Sequence, residues 1–379
     1  MSPTIAMTGA IDDDVALDIQ YQKGVKRLCE KGITKVPNKY ILPIQDRPIT
    51  TTQAAESIDQ PNENLKLPII DFAELQGENR SQVLKSLADA CEQYGFFQLV
   101  NHGIPDDVIS GMVDLSKRFF ELPYEERSNY MSSDMKALVR YGTSFNQIKD
   151  NVFCWRDFLK LMCNPLPDVL PHWPSSPPDF RDVAATYAKE SKHLFLMVME
   201  AILESLGSKK CEEDEIIMKD FEKGSQLMVL NHYPKCPQPE LTLGMPPHSD
   251  YGALTLLLQD EVEGLQICYE GKWVTVDPIP NAFVINVGDH LEIFSNGKYK
   301  SVLHRVKVNS AMSRTSVASL HTFPLMRMVK PWPKLIDEAN PECYQETNFA
   351  NFLDYISSRE PKNKEFLESR KIVSRNSNP

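Results

Sequence analysis

The chain has 379 residues, of which 42% are hydrophobic and 25% charged, and its formal net charge is −11. This length can bury a substantial core in one large domain or two smaller ones, and the composition is ordinary for a globular protein. An acidic chain without a long cluster of Lys and Arg does not suit binding to nucleic acid or an anionic membrane surface, so we expect a small-molecule partner.

The N-terminal segment carries Asp12, Asp13 and Asp14 where a secretory signal would need an apolar run. No stretch of 18 apolar residues predicts a transmembrane helix. Eight cysteines are scattered without a Cys-x-x-Cys pair, which indicates free thiols in a reducing compartment. We therefore expect a cytoplasmic protein.

The first half of the chain divides into an arm and a mostly helical region. Residues 1–66 are rich in Pro, Thr and polar residues, and we predict a partly helical arm with a helix over Val15–Glu30. Residues 67–225 are predicted to be a helix-rich region that packs on the core. Its predicted elements, in order, are a strand at LPIIDF, a helix over Ser81–Tyr94, a strand at FFQLVNH, and helices over Val108–Leu122 and Asp179–Gly207.

The second half changes character at residue 226. Short apolar runs such as LMVLNHYP, ALTLLLQD, AFVINVG and RTSVASLHTF are separated by Gly, Pro, Asn and Asp. Strands at this spacing, with no helix between them, predict an antiparallel jelly roll over residues 226–330. Residues 331–379 return to helical, charged sequence. The predicted fold class is therefore α+β, with a double-stranded β-helix (jelly roll) core, a helical N-terminal region and a C-terminal helix.

Two histidines and an aspartate form a candidate metal site. His248 and Asp250 are one residue apart, so on an extended backbone their side chains leave the same face. His304 lies in a predicted strand after an Asn-Gly turn. Two His and one carboxylate on one face of an octahedron form the facial triad of iron(II) oxygenases. Taken alone, a His-x-Asp pair also fits a hydrogen-bonded turn.

An Arg-x-Ser pair begins ten residues after His304. Arg314 and Ser316 share a strand face. A guanidinium offers a planar fork that matches a carboxylate, and the hydroxyl adds a donor. A surface strand pair is the alternative for this motif alone. In combination with the His-x-Asp pair and the distal His, it indicates a carboxylate site beside the metal.

These segments resemble the plant 2-oxoglutarate/iron(II) dioxygenases, the group that contains flavonol synthase, anthocyanidin synthase and the gibberellin oxidases. The resemblance covers about residues 67–360. The segments that carry it are LPIIDF, YGFFQLVNHGI, NHYPKCPQPELTLG, HSDYGALTLLLQD, GLQICYEGKWVTVDPIP, VINVGDHLEIFSNGKYKSVLHRV and RTSVA.

The resemblance implies roles for individual residues. His248, Asp250 and His304 would hold Fe(II), and Arg314 with Ser316 would bind the distal carboxylate of 2-oxoglutarate. Tyr233 would also reach that carboxylate, and Asn231 would lie near the metal-proximal end. The implied cofactors are Fe(II), 2-oxoglutarate and O2, with ascorbate as the reductant in vitro. Of the other histidines, His290 is interpreted as structural, His232 as pointing away from the site, and His102 as binding backbone in a turn.

The implied reaction is oxidation of a plant specialised metabolite with release of succinate and CO2. Hydroxylation, desaturation and O-demethylation all stay open, as do flavonoid, other phenolic and terpenoid substrates. The predicted substrate pocket comprises Tyr141, Phe145, Val229, Leu320 and Thr322, in which apolar or small residues favour a less polar substrate. We expect a monomer. The alternative from another functional class is a non-catalytic jelly-roll regulator that binds a metal and a ligand.

Overall fold

The structure, a computed structural model, describes residues 23–48, 66–145, 150–209, 211–358 and 363–372. Helices and sheets are interleaved along the chain, which agrees with the predicted α+β class. The helix predicted over Val15–Glu30 is described only as α1 (Val25–Glu30), because its earlier residues lie outside the described ranges.

Within these ranges, twelve strands form two sheets. The strands are β1 (Ile69–Asp71), β2 (Phe96–Val100), β3 (Val139–Thr143), β4 (Asp157–Met162), β5 (Gln226–Tyr233), β6 (Met245–His248), β7 (Leu254–Gln259), β8 (Leu265–Tyr269), β9 (Lys272–Thr275), β10 (Phe283–Val287), β11 (His304–Val306) and β12 (Arg314–His321). The larger sheet has the order β1-β2-β10-β7-β12-β5-β4-β3, and the smaller one β6-β11-β8-β9. Side chains from both sheets line one internal cavity.

Strand β12 sets the geometry of the larger sheet because it pairs antiparallel with both β5 and β7. Its side chains alternate between the two faces of the sheet. Arg314, Ser316 and Ala318 face the cavity, whereas Val317 is fully buried in the main hydrophobic core. The predicted strands from residue 226 onward are confirmed at β5, β7, β8, β9, β10, β11 and β12.

Four strands of the larger sheet come from the region predicted to be mostly helical. The strands at LPIIDF and FFQLVNH are confirmed as β1 and β2, which pair in parallel at one edge. Strands β3 and β4 were missed, and they extend the other edge beside β5. Charged residues interrupt the apolar residues on these two strands (Arg140 on β3, Asp157 and Lys160 on β4), so neither strand shows the apolar run that marks the later strands. The main sheet therefore crosses the predicted boundary at residue 226.

The described ranges contain ten α-helices, three of which pack against the larger sheet. The helices are α1 (Val25–Glu30), α2 (Arg80–Gln93), α3 (Asp106–Glu121), α4 (Tyr124–Ser128), α5 (Leu166–Val169), α6 (Phe180–Ser205), α7 (Glu212–Glu222), α8 (Asp289–Phe294), α9 (Phe349–Ser358) and α10 (Glu365–Glu368). Helix α3 packs against α6 and β12. It buries Ile109, Met112, Leu115 and Phe119, whose spacing of three and four residues places them on one helical face.

The C-terminal helices close over the cavity side of the molecule. The ring of Phe352 on α9 stacks on Tyr251, with ring centroids 3.8 Å apart and an interplanar angle of 3°. Phe366 on α10 contacts both rings edge-on. Phe352, Leu353 and Ile356 of α9 line the cavity. The predicted C-terminal helical segment is thus present, and it contributes apolar surface to the cavity.

A buried carboxylate joins α1 to the larger sheet. Asp157 on β4 accepts hydrogen bonds from the backbone N–H groups of Val25 (2.7 Å) and Lys26 (3.0 Å). Gly24 precedes them with φ 95°, and a Cβ atom there would lie 2.7 Å from the Asp157 carboxylate, so only glycine fits this approach. Arg127, which is fully buried, forms an ion pair with Glu30 of α1 at 2.9 Å.

Candidate active site

The three predicted metal ligands converge at the ends of two neighbouring strands. His304 on β11 is the direct partner of His248 on β6, and Asp250 follows two residues later. The Nε2 atoms of His304 and His248 lie 3.6 Å and 3.8 Å from Oδ1 of Asp250, and the two imidazole centroids are 4.1 Å apart. All three donor atoms lie within 4.8 Å of one another, so one cation can reach all of them.

Hydrogen bonds to the outer atoms aim these side chains at a common point. Nδ1 of His248 lies 2.8 Å from the Pro246 carbonyl, and Nδ1 of His304 lies 3.2 Å from the Val302 carbonyl. A donated Nδ1–H leaves the lone pair on Nε2 for a metal. The second oxygen of Asp250 accepts hydrogen bonds from Thr255 Oγ1 (2.5 Å) and Asn286 Nδ2 (2.9 Å), which leaves Oδ1 free to point at the imidazoles.

The protonation states of this cluster suit a divalent metal. Burial and, secondarily, the neighbouring His304 lower the pKa of His248 to about 4. For Asp250, burial raises the pKa, but the two imidazoles and the hydrogen bonds from Thr255 and Asn286 lower it more, so the net shift is downward. An ionised carboxylate beside a neutral imidazole is the form that binds a metal. The donor set fits Fe(II) with three coordination positions left open.

The predicted 2-oxoglutarate residues lie side by side on β12 and β5. Arg314 is paired with Tyr233, and Ser316 with Asn231. The guanidinium of Arg314 lies over the Tyr233 ring at 5.3 Å from its centroid. All four residues line the cavity that contains the metal cluster. The structure therefore brings together every residue that the sequence assigns to the metal and to the co-substrate.

Arg314 is held by neutral groups. It donates to the Val262 carbonyl at 3.1 Å, to Gln259 Oε1 at 2.8 Å and to Ser316 Oγ at 3.5 Å. No carboxylate lies within 4 Å of its guanidinium among the residues that the structure describes. Because a buried guanidinium without an ion pair is costly, this site has room and charge for a ligand carboxylate.

The cavity has a volume of about 380 Å³, within the range of small-molecule sites. Phe145, Val229, Leu320 and Thr322 line it, as predicted from the sequence. The prediction for Tyr141 is wrong. Its side chain points to the opposite face of β3, packs against Phe119 and hydrogen-bonds Arg127 and Asp157.

Sequence reasoning missed the charged wall of the cavity. The residues that line it are Arg140 on β3, Arg156 immediately before β4, and Lys160 on β4. The signal was present in CWRDFLKL, where Arg156, Phe158 and Lys160 recur with the period of two that places side chains on one strand face. It was not used because no strand was assigned to this segment.

The other singled-out histidines lie where they were predicted. His290 is buried on α8, its Nδ1 contacts the Thr322 hydroxyl, and burial lowers its pKa to about 3. His232 points away from the cavity and stacks on Phe120. His102 hydrogen-bonds the Asn281 carbonyl and the Ile104 N–H. These contacts fit structural roles.

In the described part of the chain, no helix is both long enough and apolar enough to cross a membrane.

Comparison with known proteins gives two family matches. Residues 67–179 match the family described as non-haem dioxygenase in morphine synthesis N-terminal, and residues 224–322 match the 2OG-Fe(II) oxygenase superfamily. The second match contains all seven residues assigned to the metal and to 2-oxoglutarate. The first match begins at Leu67, directly after the predicted end of the N-terminal arm at residue 66.

Individual relatives are similar over most of their length. Protein DMR6-LIKE OXYGENASE 2 of Arabidopsis thaliana is 41% identical over 85% of this chain and 90% of that protein. Flavanone 3-dioxygenase 2 of Oryza sativa subsp. japonica is 40% identical over 86% of this chain and 91% of that protein. The crystal structure of JOX2 in complex with 2OG, Fe, and JA superposes with a TM-score of 0.81 at 32% identity, over 92% of this chain and 98% of that one.

Proposed function

Because this chain belongs to the 2OG-Fe(II) oxygenase superfamily, and is thus a 2-oxoglutarate- and Fe(II)-dependent dioxygenase, we propose that it oxidises a plant specialised metabolite of the phenolic, flavonoid or terpenoid class. The observation that carries this proposal is the convergence of His248 Nε2, His304 Nε2 and Asp250 Oδ1 in one cavity with Arg314, whose guanidinium has no ion-pair partner among the described residues. The reaction is a hydroxylation, a desaturation or an O-demethylation.

The proposed roles follow from the chemistry of each side chain. His248, Asp250 and His304 hold Fe(II). Arg314 and Ser316 bind the distal carboxylate of 2-oxoglutarate, with Tyr233 beside them and Asn231 toward the metal. When bound, Fe(II), 2-oxoglutarate and dioxygen supply the oxidising chemistry and release succinate and CO2.

The chain's own contribution is to orient the substrate and exclude water. Phe145, Val229 and Leu320 form apolar wall, and Phe352 and Leu353 of α9 line the same cavity. Apolar walls of this kind suit a largely apolar ligand body. The relatives named as flavanone dioxygenases support a phenolic substrate.

A coupled assay tests this proposal. The purified protein is incubated with Fe(II), ascorbate, O2 and 2-oxoglutarate, and succinate is measured with and without each member of a flavonoid, simple phenolic and diterpenoid panel. We expect at least one compound to stimulate succinate formation and to be recovered in oxidised form. The matched control is Asp250→Ala, which should form no succinate. If no compound is oxidised, or if the Asp250→Ala protein oxidises it equally, the proposal fails.

We also propose that the protein is a cytosolic monomer. Support for the reducing compartment comes from its eight cysteines, none of which forms a disulfide with another described residue. Free thiols are usual in reducing compartments.

A further inference from the structure

Three basic side chains form a cluster on the cavity wall, which we call the cation wall: Arg140, Arg156 and Lys160. Arg140 on β3 is the direct cross-strand partner of Lys160 on β4. The guanidinium carbons of Arg140 and Arg156 lie over the Phe158 ring, at 5.0 Å and 4.9 Å from its centroid. All three cations line the cavity, and both arginines are buried.

Among the described residues, the cation wall is hydrogen-bonded only to neutral acceptors. The bonds are Arg140 Nε to the Ser132 carbonyl (2.9 Å), Arg140 Nη2 to the Phe145 carbonyl (3.0 Å), Arg156 Nη1 to Asn231 Oδ1 (3.0 Å), Arg156 Nη2 to the Ser144 carbonyl (2.7 Å) and Lys160 Nζ to the Met135 carbonyl (2.8 Å). Nε of Arg156 is buried without a partner. Across the described ranges, none of the three forms an ion pair.

Neighbouring acids do not neutralise the wall. Asp134 and Asp150 are close enough to raise the pKa of Arg140, yet neither pairs with it. Asp150 instead accepts hydrogen bonds from the Ser144 hydroxyl (2.5 Å) and the Phe145 N–H (3.0 Å). Across the whole cavity lining, Asp250 is the one acidic residue among those described, against five Lys and Arg residues. This excess of positive charge occurs in a chain with a net charge of −11.

The co-substrate does not neutralise the wall either. This step rests on the function proposed above. Fe(II) and Arg314 together bring three positive charges, and Asp250 with the two carboxylates of 2-oxoglutarate brings three negative ones, so that centre is balanced. Among the described residues, the three charges of the cation wall remain without an ion-pair partner.

The protein keeps these charges at a cost to its own stability. Like charges directly opposite each other on adjacent strands are destabilising. Burial and, secondarily, the adjacent Arg140 lower the pKa of Lys160 to about 8. Burial and, secondarily, Arg156 likewise lower the pKa of Arg140 to about 10. Charges retained against such a penalty are typical of a binding site.

We propose that the substrate carries a carboxylate, which binds at the cation wall between Arg140 and Lys160. Arg140 offers a planar fork for the two carboxylate oxygens, and Lys160 has N–H donors beyond the one bound to Met135. Val229, the cross-strand neighbour of Lys160 on the inner side, and Phe158 contact the apolar body. That body extends from the wall toward the metal cluster, which places a C–H bond near the oxidising centre.

The first experiment measures binding without turnover. The protein is saturated with Mn²⁺ and 2-oxoglutarate, which occupies the Arg314 site, and is titrated with aryl, alicyclic and diterpenoid carboxylic acids, each beside its methyl ester. Binding is measured by calorimetry and by the rise in melting temperature. We expect at least one acid to bind at least tenfold more tightly than its ester. A panel in which no acid binds, or in which the esters bind as well as the acids, would overturn the proposal.

The second experiment removes the wall. Arg140→Gln and Lys160→Met should each raise the Kd of the acid by about tenfold or more, because a charge-assisted hydrogen bond is lost, while the ester keeps its Kd. The matched control is Lys192→Met, since burial also lowers the pKa of Lys192 to about 8 but this residue lies outside the cavity lining; it should bind the acid like the wild type.

The experiments distinguish failure of the carboxylate inference from misfolding of a variant and from failure of the proposed oxygenase function. Lys160→Met should melt at or above the wild-type temperature, because it removes a disfavoured charge; a wall that serves the fold alone would give a lower melting temperature and an unchanged Kd. A wild-type protein that oxidises only neutral compounds would overturn the carboxylate while leaving the oxygenase function intact. Loss of all 2-oxoglutarate turnover would instead contradict the oxygenase function.

Discussion

Replacing Arg314 by lysine tests the co-substrate site most directly, because the charge is kept and only the fork is lost. An arginine has five N–H donors. In the structure three of them are directed at Val262, Gln259 and Ser316. Two N–H groups therefore remain for a carboxylate, which is the number that a bidentate pair requires.

The size of the effect follows from this count. A lysine at position 314 places a single ammonium group near the carboxylate and cannot reproduce two parallel hydrogen bonds. The loss of one charge-assisted hydrogen bond costs about 1.5–3 kcal/mol. This corresponds to an increase of roughly 10- to 150-fold in the Kd of 2-oxoglutarate. The metal ligands do not contact Arg314, so metal affinity should stay within about twofold.

The assay is a calorimetric titration of 2-oxoglutarate into the Mn²⁺-loaded protein, followed by the 2-oxoglutarate dependence of succinate formation. Arg305→Lys is the matched control. Arg305 is also buried, donates to Gln266 Oε1 at 2.9 Å and lies over the Trp273 ring, but it does not line the cavity. A Kd for the Arg314→Lys protein within threefold of the wild type would refute the bidentate role.

Three further substitutions have distinct expected outcomes. His304→Ala should weaken Mn²⁺ binding by at least about 100-fold in a titration, whereas the exposed His193→Ala should not; equal affinities would remove His304 from the metal site. Tyr141→Phe removes a hydrogen bond to buried Asp157 (3.1 Å) and should lower the free energy of unfolding in urea by about 1–3 kcal/mol; a changed substrate Kd would contradict its placement outside the cavity. Lys160→Met should raise the free energy of unfolding by about 2 kcal/mol at pH 7. In the folded wild type, the drop of the Lys160 pKa from 10.5 to about 8 costs about 3 kcal/mol. The substitution removes this cost but also loses a hydrogen bond worth about 1 kcal/mol. Between pH 8 and 10.5 the folded wild type has lost this proton and the unfolded chain has not, so wild-type stability rises with pH and the gain from the substitution should shrink; a gain independent of pH would contradict the assigned cause.

The sequence predicts the chemistry of the site well because that chemistry depends on rare residues at short spacings. The His-x-Asp and Arg-x-Ser pairs each place two side chains on one strand face. His304 could be placed with them because its neighbours form an apolar run after the Asn296–Gly297 turn. Both turn residues adopt positive φ, 53° and 80°, in agreement with the turn expected there.

The charged wall was not predicted because β3 and β4 were not recognised as strands. Adjacent residues on a strand face opposite sides of the sheet. Tyr141 was assigned to the cavity and its neighbour Arg140 was not, whereas the structure has the reverse. Strand β6 was missed for another reason: Pro246 and Pro247 argue against a strand, and prolines are tolerated here because β6 is an edge strand.

The relation to known enzymes also settles the class of protein. A non-catalytic regulator was the alternative from the sequence. The chain instead belongs to an enzyme family, and its similarity to named dioxygenases covers about nine tenths of their length. Each residue that the sequence assigns to the metal or to 2-oxoglutarate lines the cavity. The regulator alternative is therefore set aside.

The attachment of α1 to Asp157 determines how short a working version of this polypeptide can be. The match to the family model begins at residue 67, which invites a truncation there. Such a truncation would strip the Asp157 carboxylate of the N–H groups of Val25 and Lys26, and Arg127 of its partner Glu30. Each orphaned buried group costs about 1–3 kcal/mol or more, and Asp157 directly follows Arg156 in the chain. The residues of α1 thus stabilise the strand that faces the substrate. We therefore expect that the shortest stable version of this enzyme must begin at or before Gly24.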